Sequence, residues 1–89
     1  MVVRKHIVFK GWVQGVGFRW RAMKAADLYG CTGWVRNEFD GSVTMEIQGP
    51  EECIDQVLVA LNRGSYIRIE DMRVKTLPLK EGEFGFRAW

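Results

Sequence analysis

Two rhythms of apolar and polar positions alternate along the 89 residues. Over 3–12, β-branched and aromatic residues interleave with charges, with Ile7, Phe9 and Gly11 on one parity, which predicts a first strand. The period then changes: Ala22, Ala25, Ala26 and Tyr29 recur at helical spacing, and Gly30 is placed to end the helix. "GWVRNEFDGSVTMEIQG" returns to the strand rhythm on both sides of Asp40-Gly41, a hairpin turn signal. There Val43, Met45 and Ile47 alternate with Thr44, Glu46 and Gln48, as a strand with one buried face requires. Pro50 opens a second helix, with Glu51 and Glu52 in the first turn, where the dipole favours anions. Ile54, Val57, Leu58 and Leu61 form its apolar stripe, and Gly64 stops it. A fourth strand is expected over 66–77. Ile67 and Ile69 share one parity and Met72 and Val74 the other, so a bulge is expected near Glu70–Asp71. "PLKEGE" reads as a loop and "FGFRAW" as a short last strand.

The predicted order is βαββαβ with an extra C-terminal strand. Two helices on one face of a mainly antiparallel sheet make a ferredoxin-like α+β sandwich. That fold hosts many functions, so chemistry must come from particular residues. No repeat, linker or low-complexity segment divides the chain, and 89 residues suit one domain over 1–89.

Composition and charge narrow the partners. A 47% hydrophobic fraction suits a globular chain, and no apolar run approaches the ~20 residues of a membrane span. "MVVRKHIVF" is too short and too interrupted by charge for a secretory signal, so a cytoplasmic protein without a membrane partner is expected. Thirteen basic against eleven acidic residues give a net charge of +2, short of a nucleic-acid binder's basic footprint. No nucleic-acid partner is expected. Cys31 and Cys53 lack CxxC spacing, and His6 is the one histidine, so Cys and His cannot assemble a zinc site. No metal is expected. Two buried or half-buried thiols are the simpler reading, and a disulfide stays open.

The stretch that asks for a function is "GWVQGVGFRW", residues 11–20. Gly15 and Gly17 bracket Val16 between the first strand and the first helix, where positive φ is cheap for glycine. Successive N–H groups there can form an anion-binding nest, and the following helix start adds a positive dipole end. Arg19 would stand at its mouth with a fork suited to phosphate oxygens. A tight strand–helix connection with a solvated arginine is the plainer alternative. The stretch is neither a P-loop nor a dinucleotide fingerprint. Asn37, just before the hairpin, offers a carbonyl acceptor and amide donors that can hold a water; an Asx turn is the alternative. His6 reads as a strand residue, and Arg21 and Arg36 as a solvated face. Trp20 reads as core or rim packing; Trp12 either flanks the loop or packs.

Together the two segments resemble the paired signatures of the acylphosphatase family. "GWVQGVGFR" fits G-x-V-Q-G-V-x-F-R through Gly11, Val13, Gln14, Gly15, Val16, Phe18 and Arg19. "GWVRNEFDGSVTMEIQG" fits the second through Gly33, Trp34, Val35, Arg36, Asn37, Gly41, Val43 and Gly49. The resemblance implies hydrolysis of acyl phosphates to a carboxylate and inorganic phosphate. It implies that Arg19 and the loop amides of Gln14, Gly15, Val16, Gly17 and Phe18 bind the phosphate, and that Asn37 orients the attacking water. It also implies no cofactor, no metal and no covalent intermediate. The expected partners are a small acyl phosphate and inorganic phosphate, with the chain as a monomer. The competing readings are a ferredoxin-like module that binds RNA on its open sheet face or anions without catalysis, and a carbamoyl-phosphate-handling domain of a larger protein. Phe9, Trp34 and Phe39 are the aromatic strand residues that the RNA reading would use, but no RNP-type run accompanies them.

Overall fold

A computed structural model describes residues 1–89. Its elements run β1 (Val2–Trp12), α1 (Phe18–Leu28), β2 (Thr32–Asn37), β3 (Val43–Pro50), α2 (Glu51–Asn62), β4 (Arg68–Leu77) and β5 (Phe86–Ala88). The strands form one sheet in the order β4-β1-β3-β2-β5. All pairings are antiparallel except β2 with β5, which is parallel. This is the expected ferredoxin-like α+β architecture, with β5 as the extra edge strand.

Alternation along the strands decides the faces. Ile7 and Phe9 of β1, Val35 of β2 and Val43, Met45 and Ile47 of β3 point one way and are fully buried. Ala22, Ala25 and Ala26 of α1 and Ile54, Val57 and Leu61 of α2 complete the same core. Small residues on α1 let that helix lie close to the sheet. The thiols of Cys31, buried, and Cys53, half-buried, are both free.

The expected bulge is present. Lys10 pairs with Asp71 but Gly11 pairs with Ile69, which leaves Glu70 as the extra residue of β4. Across the bulge Ile69, Met72 and Val74 face the same side, opposite Gly11, Phe9 and Ile7. Gly11 is needed here: a Cβ would lie 2.3 Å from the Arg68 carbonyl oxygen. Strand β4 begins at Arg68, two residues later than expected.

On the opposite face of the sheet, one surprise is Arg4. It is buried among Glu46, Gln48 and Glu83, with ion pairs of 3.0 Å to Glu46 and 2.8 Å to Glu83. The connection 78–85 covers it, held also by Gln48, which accepts from the Lys80 N–H at 2.8 Å and donates to its carbonyl at 3.0 Å.

Candidate active site

The loop between β1 and α1 hangs between two buried anchors, Val13 and Phe18. Phe18 is the first residue of α1, and its ring meets Phe9 edge-on with centroids 4.9 Å apart. Such a contact contributes about 0.5–1.5 kcal/mol beyond area burial. Residues 14–17 are therefore held at both ends while Gly15 and Gly17 stay exposed. Both glycines are left-handed, with φ of 71° and 78°, and a Cβ on either would meet no atom within 4 Å. Backbone conformation, not crowding, is what demands glycine here.

Gln14 serves the loop by its side chain. Its amide nitrogen donates to the carbonyls of Glu38 at 2.7 Å and Ser42 at 2.9 Å. Both partners are acceptors, so the nitrogen must face them. The sequence reading of Gln14 used only its main-chain N–H and missed this tie. The hairpin it grips is closed by Asp40, which accepts from the Ser42 N–H at 3.0 Å and hydroxyl at 2.6 Å. Those bonds hold the Asp40 carboxyl below its ordinary range.

Asn37 ends β2 beside this hairpin. Its Oδ1 is buried and has no hydrogen-bond partner in the protein. An Asx turn would have used that oxygen, so the plainer reading of Asn37 has no support in the geometry. Arg19, in the first turn of α1, is exposed and donates from Nη1 to the main-chain oxygen of Trp89. Trp89 reaches this place because β5 pairs in parallel with β2, and its N–H donates to Val35 at 2.8 Å. Asn37, Arg19, Gly15, Gly17, Phe18, Trp20 and Val13 line one cavity of about 160 Å³. That is several times the ~30 Å³ share of one liquid water. The cavity can hold a small anion with a water beside it.

The other candidates fall outside this cavity or at its rim. His6 lies on the far face of the sheet, with Nδ1 3.0 Å from Glu46 Oε2. Arg36 is exposed, paired with Glu38 at 3.1 Å and stacked 5.0 Å over Trp34. Arg21 departs from the solvated reading: it is half-buried and donates to the Ala60 carbonyl of α2 at 3.4 Å. Trp20 is exposed at the cavity rim, and Trp12 is exposed beyond it. The aromatic set of the RNA reading is scattered, with Phe9 in the core and Phe39 fully exposed in the hairpin turn; Trp34 alone lies on the open face. No three His, Cys, Asp or Glu side chains converge as a metal would need.

The fold and cavity define a class: a small α+β sandwich with a glycine loop, an exposed arginine tied to the C-terminal main chain and an orphan amide oxygen gathered at one end of the sheet. Against known proteins, the acylphosphatase family profile matches residues 5–88. The acylphosphatase of Oceanobacillus iheyensis is 47% identical over 70 residues, covering 76% of this chain and 77% of that one. The crystal structure of acylphosphatase from Bacillus subtilis superposes with a TM-score of 0.89 at 32% identity, over 100% of this chain and 99% of that one. A full-length HypF structure in the phosphate- and nucleotide-bound form matches at 26% identity with a TM-score of 0.88, over 100% of this chain and 12% of HypF. The chain belongs to the acylphosphatase family.

Proposed function

We propose that this chain is an acylphosphatase, hydrolysing acyl phosphates to a carboxylate and inorganic phosphate, and that residues 14–19 and Asn37 carry the reaction. The observation that carries the mechanism is the buried, unpartnered Asn37 Oδ1 in the same cavity as Arg19 and the loop. A buried acceptor without a donor is costly, about 1–3 kcal/mol, unless something donates to it. A water hydrogen can do so, and it would turn the water's lone pair towards phosphorus. The main-chain N–H groups of Gln14, Gly15, Val16, Gly17 and Phe18, with the Arg19 guanidinium, would hold the phosphoryl oxygens.

The chemistry asks little more. Water attacks phosphorus, the bond from phosphorus to the acyl oxygen breaks, and the carboxylate leaves with the bonding pair. The water's proton passes to a phosphoryl oxygen. Because a carboxylate leaves readily, no strong general acid is needed, and positioning with charge stabilisation does most of the work. Neither a guanidinium nor an amide titrates near neutrality, so the pH–rate profile is broad; a sharp bell near neutrality would mean that a group outside this pair carries the proton. No helix is long and apolar enough to cross a membrane. We read the chain as one domain over 1–89, a cytoplasmic monomer that uses no metal or cofactor and binds no nucleic acid.

The test is benzoyl phosphate hydrolysis with chelator present, for the wild type, Arg19→Ala and Asn37→Ala. Each substitution should lower kcat/KM by about 10²–10³-fold with the far-ultraviolet spectrum unchanged. Inorganic phosphate should still inhibit Asn37→Ala but inhibit Arg19→Ala far less. An inactive wild type that still binds phosphate through Arg19 would make the chain an anion-binding module. The alternative reading as a domain of a larger protein adds one further arm, carbamoyl phosphate as substrate. Its hydrolysis well ahead of benzoyl phosphate would support a carbamoyl-phosphate-handling domain.

A further inference from the structure

An in-line displacement needs the attacking water and the leaving carboxylate on opposite sides of phosphorus. Asn37 closes β2, so it lies on the β3–β2 side of the loop that follows β1. The other side of that loop faces β4. There Trp12, Val16, Tyr66, Ile67 and Arg68 line a groove of about 680 Å³. Gly15 lines both this groove and the Arg19–Asn37 cavity, so the two spaces meet at the loop main chain.

The walls state what fits. Trp12 is 68% exposed and Tyr66 79% exposed, so both rings present apolar surface that no core residue covers. Half-buried Val16 and Ile67 lie between them. No carboxylate lines the groove, and Arg68 is its one charge, so an anionic substrate meets no repulsion on entry. We infer that this groove receives the acyl body of the substrate, and that the preferred acyl phosphates carry an aromatic or similarly broad apolar acyl group. The inference rests on the acylphosphatase reading above and adds the substrate class to it. Contacts to the acyl body are made before and during the chemical step alike, so they act on KM more than on kcat.

The experiment compares benzoyl phosphate with acetyl phosphate on the wild type, Trp12→Ala and Tyr66→Ala. The readout is the ratio of the two kcat/KM values within each protein, which a general loss of fold or chemistry does not move. The wild type should favour benzoyl phosphate by about tenfold or more. Each variant should lose most of that ratio through a raised KM for benzoyl phosphate. Equal use of both substrates by the wild type, or a preference that survives both substitutions, overturns the inference while leaving the hydrolase reading intact. A wild type that hydrolyses neither substrate overturns both. A dimer that Trp12→Ala dissociates in sedimentation, with the ratio unmoved, would assign the groove to a second copy of the chain and overturn it as well.

Discussion

At the scale of single residues, glycines here answer to two different demands. Gly15 and Gly17 have open space where a Cβ would go and are constrained by positive φ alone. Gly33 has both constraints: φ is 140°, and a Cβ would sit 1.9 Å from the Glu46 carbonyl oxygen on the neighbouring strand. An alanine at Gly17 should therefore cost about 1–2 kcal/mol, the left-handed strain of one residue. Gly33→Ala should cost more than ~3 kcal/mol, because backbone must move against backbone between the paired strands β2 and β3. Urea unfolding of both variants checks this, and equal midpoints would show that the sheet yields without strain. The same distinction explains why a resemblance of signatures finds Gly33 while alternation alone says nothing of it.

Between elements, Gln14 sets the distance from the loop to the hairpin. Its two bonds join the second residue after β1 to the carbonyls of Glu38 and Ser42, which flank the turn that follows Asn37. If Arg19 and Asn37 act on one phosphoryl group, this tie fixes their separation. Gln14→Ala keeps the main-chain N–H and removes only the tie. Its kcat should fall about 10- to 100-fold, since small misplacements of reacting groups are costly. Phosphate inhibition should change far less. A lowered melting temperature with full activity would mean that Gln14 holds the fold and not the site.

For the whole molecule, the buried cluster around Arg4 couples stability to acid. Glu83 is pushed up by burial, but hydrogen bonds from Arg4 and Thr32 outweigh this and hold its carboxyl below the ordinary range. Burial likewise raises Glu46, and the bonds from His6 and Arg4 prevail and lower it. A carboxylate whose folded pKa is lowered binds fewer protons folded than unfolded, so it stabilises above the unfolded value of about 4.3. That stability is lost as pH falls from there through the folded values. Unfolding free energy measured from pH 6 to pH 2 should drop along this limb. Glu83→Gln should make the limb shallower, and an unchanged slope would remove Glu83 from the account. The cluster also pins the 78–85 connection across the sheet, upstream of the strand that brings Trp89 to Arg19.

Local physics in the sequence determined most of the elements. Period-2 alternation set β1 and β3, helical spacing set α1 and α2, and the parity switch in β4 placed the bulge at Glu70. Those features depend on neighbours a few residues apart, which is why they can be read along the chain. The two signature segments named the loop, Arg19 and Asn37 in the same way, residue by residue. Their gathering around one cavity came from chain crossings that no local pattern carries. Only tertiary structure showed that Asn37 Oδ1 is left without a partner, that Gln14 bonds 24 and 28 residues away, and that Arg4 is buried. Arg4 sits on the parity that alternation assigns to solvent, and it is buried because a loop 79 residues away in sequence folds over it. The groove beside the cavity is of the same kind. Trp12 ends β1 and Tyr66 lies in the turn just before β4, and it takes the β1–β4 pairing to bring them to one groove.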